Sequence, residues 1–69
     1  MSESTKMLAE KVRDSSLHSK YRKEAMSELE TRAMEGQMAA TNELSEMVDD
    51  SSLHSKYRKR AMNALKQAP

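Results

Sequence analysis

"DSSLHSKYRK" stands at residues 14–23 and returns, letter for letter, at residues 50–59. Sliding the chain along itself by 36 residues extends the match in both directions. Leu8 falls on Leu44, Glu10 on Glu46 and Val12 on Val48, and beyond the block Ala25 falls on Ala61, Met26 on Met62 and Leu29 on Leu65. Sixteen of the 22 positions from Leu8 to Leu29 are shared. The matches outside the block are mostly apolar, so the two copies carry one buried pattern, and a repeat of this length reads as a helix, a tight turn and a second helix.

Around the first copy, Met7, Leu8, Lys11 and Val12 lie at helical spacing, with Ser2 or Ser4 placed to cap the start of their helix. After the turn, Leu17, Tyr21, Ala25, Leu29 and Ala33 recur at four-residue intervals, the apolar stripe of a helix from about 17 to 35. Gly36 follows, the only glycine of the chain, where a left-handed closing residue is expected. Around the second copy, Thr41 or Asn42 can cap a helix carrying Leu44, Met47 and Val48, and Leu53, Tyr57, Ala61, Met62 and Leu65 make the stripe of the last helix. The alternative at Gly36 is one continuous helix through "AMEGQMAATNEL", because an internal glycine costs only about 1 kcal/mol. No alternating run reaches strand length.

The expected fold is therefore all-α: two tandemly duplicated helical hairpins, about four helices, completed within the chain or by dimerisation. They form a single small domain over 1–69, with repeat units 4–35 and 40–68. The expected core is Leu8, Val12, Leu17, Tyr21, Ala25 and Leu29 from the first unit and Leu44, Val48, Leu53, Tyr57, Ala61 and Leu65 from the second. A chain this short buries only about 60% of the surface it exposes when unfolded. Having no cysteine it gains nothing from disulfides, which leaves oligomerisation as the ordinary source of extra stability.

Six Leu, two Val, seven Met and eight Ala, with no Ile, Phe or Trp, make a helical composition whose methionines suit either a core or an adaptable contact surface. Twelve Lys and Arg against eleven Asp and Glu leave a net charge of +1, so any basic site is local. No apolar run approaches the roughly 20 residues that span a bilayer, and the N-terminal "MSESTKMLAEK" has no apolar signal segment. A soluble, cytoplasmic protein without membrane association is expected.

The repeated block sets cations where a helix disfavours them. Lys20, Arg22 and Lys23 in one copy, and Lys56, Arg58, Lys59 and Arg60 in the other, fall in the first turns of a helix, whose N-terminus carries about +0.5 charge. Asp14, Asp49 and Asp50 fall at the ends of the preceding helices, where acids are equally misplaced. One reading is internal: the turn sets the acids beside the cations, and Asp or Ser caps the second helix. The other is that the cations, with His18 and His54, meet an anionic partner. Neighbouring surface positions diverged between the copies, Glu24 to Arg60, Ser27 to Asn63, Glu28 to Ala64 and Glu30 to Lys66, while the basic cluster did not.

The expected function is a small regulator or adaptor that binds an acidic protein surface through His18, Lys20, Arg22, Lys23, His54, Lys56, Arg58, Lys59 and Arg60. A nucleic-acid-associated protein and a purely structural homodimer are the alternatives. Neither a metal nor another cofactor is expected, since one His and one carboxylate per copy make a thin ligand set. Nothing converges on catalysis: there is no cysteine nucleophile, no glycine-rich phosphate loop and little concave volume. The 36-residue period also lacks the Trp, Gly and Pro positions of tetratricopeptide repeats.

Overall fold

Ser4 starts the first helix, its Oγ accepting from the Met7 amide at 3.2 Å, the bond that satisfies one of the unpaired donors of a first turn. The computed structural model describes residues 3–69, so the alternative cap at Ser2 lies outside the described residues. Four helices follow one another: α1 (Thr5–Arg13), α2 (Ser19–Met34), α3 (Met38–Val48) and α4 (Ser55–Gln67). No strand occurs among the described residues. Among the described residues no helix is long and apolar enough to cross a membrane.

The chain breaks at Gly36. Its φ of 84° is the only positive value among the described residues. The Gln37 amide returns to the Arg32 carbonyl and the Gly36 amide to the Ala33 carbonyl, both at 3.0 Å, the paired closure of a Schellman motif. α3 begins directly after it, with Gln37 at the cap position and no side-chain capping bond. This corrects the expected caps: Thr41 lies inside α3 and its hydroxyl donates back to the Met38 carbonyl at 2.8 Å, while Asn42 is a helical surface residue. The turn geometry, rather than a polar cap, fixes where α3 starts.

The helices pair as hairpins, α1 with α2 and α3 with α4. Between hairpins, α1 meets α3, α2 meets α4 and α2 meets α3, whereas α1 and α4 scarcely touch. The result is a slab of 32 × 30 × 16 Å. Val12, Met26, Leu29, Leu44, Met47 and Tyr57 are its largest fully buried side chains. Leu8, Ala25, Leu53 and Ala61 are buried with them, and Val48 and Leu65 are partly buried against this core.

Matched positions of the repeat do not have matched surroundings. Tyr57 is 1% exposed and its counterpart Tyr21 is 52% exposed; Met26 is 0% exposed and its counterpart Met62 is 46% exposed. Tyr21 is therefore not a core residue, as its place on the stripe predicted, and Leu17 is only half-buried. The reason is how the hairpins mate. The Arg22 guanidinium lies 4.9 Å from the centre of the Tyr57 ring, and a two-fold relation would also set Arg58 against Tyr21, which stays exposed. One face of the first hairpin therefore mates with a different face of the second, a heterologous contact.

Candidate partner-binding surface

Both copies of the block fold alike. The Asp14 carboxylate accepts from the backbone amide and the hydroxyl of Ser16, and Asp50 does the same with Ser52. These side-chain turns are closed by the Leu17 amide on the Asp14 carbonyl and the Leu53 amide on the Asp50 carbonyl, each at 3.1 Å. The expected Asp or Ser cap on the following helix is then corrected, because those side chains are used within the turn. His18 and His54 are the caps: Nδ1 of each accepts from the amide two residues on, Lys20 and Lys56, at 3.0 Å. Each imidazole thus presents its unprotonated Nδ1 to the helix start.

The acids do not neutralise the cluster. The Ser16 hydroxyl, then its amide, hold the Asp14 carboxyl below its ordinary value, with the Arg22 charge a smaller cause. For Asp50 the Ser52 hydroxyl comes first, followed by the Arg13 side chain. Arg13 Nε donates to Asp50 Oδ2 at 3.0 Å and its Nη1 lies 3.7 Å from Glu43 Oε1, tying the end of α1 to the second hairpin. Among the described residues, none of Asp14, Asp49 and Asp50 forms an ion pair with a cation of the block.

Eight of the nine expected contact residues fall into three groups. His18 and His54 are caps. Arg22 and Arg60 are occupied internally. Arg22 donates through Nε at 2.9 Å and Nη2 at 2.7 Å to the Val12 carbonyl, one of the carbonyls that α1 leaves unpaired at its C-terminus, while stacking on Tyr57. Arg60 forms a fork on Glu30, at 2.9 and 2.6 Å, and reaches the Ser27 hydroxyl at 3.2 Å. The Glu30 carboxylate raises the Arg60 pKa above its ordinary value against the opposing effect of burial.

Lys20, Lys23, Lys56 and Lys59 form the third group: all are exposed and none has an ion pair among the described residues. Lys20 and Lys56 sit over the ring of the tyrosine that follows each, at 5.9 and 5.1 Å. The Tyr57 ring, facing Arg22 and Lys56, is where the two copies meet. Arg58 stands apart. It is half-buried, its Nε is buried with no hydrogen-bond partner, and the bond its counterpart Arg22 makes to Val12 has no equivalent at Val48.

Two internal cations escaped sequence reasoning. Arg13 bridges the hairpins, and Arg32, 8% exposed, donates to Glu28 at 3.1 Å and to the Thr5 hydroxyl at 3.2 Å. The signal for Arg13 was its replacement by Asp49 in the other copy, a reversal of charge where the block's own charges are unchanged. Searches of protein-family models, curated proteins and solved structures returned no match to the chain.

Proposed function

We propose that the chain is a small regulatory or adaptor protein of the cytoplasm that docks on the acidic surface of a larger protein through its two basic helix starts. The observation that carries this is the third group of cations: Lys20 and Lys23 in one copy, and Lys56 and Lys59 in the other, stay exposed and form no ion pair among the described residues although the chain holds eleven acids. Each pair stands at the positive end of a helix, where it adds to the field an anion meets. Within the fold these lysines make only the contacts of Lys20 and Lys56 over the tyrosine rings that follow them, so the repetition of all four supports a use outside the fold.

The test is replacement of these four lysines by alanine. Far-UV circular dichroism should stay as in the parent chain and the melting temperature should change little, because the lysines lose no hydrogen bond or ion pair among the described residues and only the Lys20 and Lys56 contacts with the tyrosine rings go, whereas affinity capture of an acidic protein from lysate should fail. Capture that survives the quadruple substitution rejects the proposal. Binding of a duplex oligonucleotide with a steep salt dependence that these substitutions flatten would assign the lysines to phosphate contacts instead.

A further inference from the structure

The heterologous mating of the hairpins leaves each of its two surfaces repeated once, unmated, at opposite ends of the molecule. Inside the chain, the α2 face of Arg22, Met26, Ser27 and Glu30 receives the α4 face of Tyr57, Arg60 and Ala64. By the repeat, the first face recurs on α4 as Arg58, Met62, Asn63 and Lys66, and the second recurs on α2 as Tyr21, Glu24 and Glu28. We propose that the chain self-associates head to tail, the α4 face of Arg58, Met62 and Lys66 of one copy seating on the α2 face of Tyr21, Glu24 and Glu28 of the next.

Three observations converge on a second copy as the occupant. The first is the pair of identical residues that is mated once and unmated once. Arg22 stacks on Tyr57, while Arg58 keeps a buried Nε without a partner and Tyr21 stays 52% exposed; the next copy would set that ring against that guanidinium. The second is compensated charge. Inside the chain Arg60 grips Glu30; across copies the corresponding positions are Glu24 and Lys66, so both signs are reversed and the attraction is kept.

The third is the character of the two ends. An open groove lined by Val48, Arg58, Lys59 and Met62 marks the basic end; the groove at the other end is lined by Glu3, Lys11, Tyr21, Glu24, Glu28 and Arg32, where Lys11 pairs with Glu3 and Arg32 with Glu28, so that Glu24 is the carboxylate left without an ion pair among the described residues. Met62, 46% exposed, repeats the fully buried Met26 and supplies the apolar centre. One junction opposes the contact: Arg13 on Asp50 inside the chain becomes Asp49 facing Asp14 between copies. That single like-charge pair makes the contact between copies weaker than the one within the chain. Because such a contact does not close on itself at two copies, it builds a ring or a filament. The inference stands apart from the docking of an acidic protein, since its own test varies Glu24 and Lys66 and leaves Lys20, Lys23, Lys56 and Lys59 in place.

Sedimentation velocity of the full chain over a concentration series tests it. The weight-average mass should climb past two chains as concentration rises, and less steeply in high salt. Glu24→Lys should raise the concentration for half association at least about tenfold, since it sets like charges together, and Glu24→Lys combined with Lys66→Glu should restore assembly. Both positions are exposed, and circular dichroism should report unchanged helicity in each variant. A mass that stays at 7.9 kDa at every concentration, a limiting dimer, an association indifferent to Glu24→Lys, or a loss that the double exchange does not restore would each overturn the proposal.

Discussion

Arg22 and Arg58 occupy the same place in identical decapeptides, yet replacing each by methionine, which keeps most of the apolar stem and removes the guanidinium, should have opposite consequences. Arg22 donates twice to the Val12 carbonyl and stacks on a buried ring. A hydrogen bond to a charged group contributes about 1.5–3 kcal/mol and a partly desolvated cation–π contact about 0.5–2 kcal/mol, so Arg22→Met should cost roughly 2–5 kcal/mol. A chain of this size has about 3–10 kcal/mol in all, and the loss corresponds to a fall in melting temperature of roughly 8–40 °C. Arg58 donates no such bond, and its Nε is buried without a partner; Arg58→Met should be neutral or stabilising by up to about 1 kcal/mol. Urea titration followed by circular dichroism, at dilutions where the chain is monomeric, measures both. Equal losses in the two variants would refute the unequal mating of the hairpins.

Other positions give further tests. Tyr57→Phe should be neutral or stabilising by about 1 kcal/mol, because the buried hydroxyl has no partner, whereas Tyr57→Ala should cost about 3–5 kcal/mol, a loss thermal melting would register as near-complete unfolding. Gly36→Ala should destabilise by about 1–2 kcal/mol through its left-handed backbone alone; the added methyl finds room, with Pro69 Cγ its nearest neighbour at 3.9 Å. Asp14 and Asp50 both titrate below the ordinary value of 3.8 in the folded chain. Their contribution is therefore complete above that value and is lost as the pH falls through the lower, folded one. Urea midpoints measured across this acid range should fall with pH, and less so in Asp50→Ala, which abolishes its own share.

The sequence reveals the helix–turn–helix plan, because a four-residue apolar stripe on each side of a polar turn is local chemistry; at Gly36 it left a closing residue and a continuous helix both open, and the left-handed backbone there decides for the break. Burial was another matter. Tyr21 and Tyr57 sit in identical ten-residue blocks, so no local pattern separates them; only the order in which the hairpins stack decides which ring is covered. The histidine caps were equally hidden, since Asp and Ser stood nearby with stronger preferences for that role and the turn claimed them first. For the candidate site, the sequence located the basic cluster, but only the structure separates the lysines left exposed from the arginines held by Val12 and Glu30.

The unequal covering of two identical blocks is what both the architecture and the end-to-end contact require, and tyrosine nitration reads it directly. Dilute folded chain treated briefly with tetranitromethane and mapped by peptide mass spectrometry should carry the modification at Tyr21 and almost none at Tyr57. Comparable modification of the two rings would contradict the account.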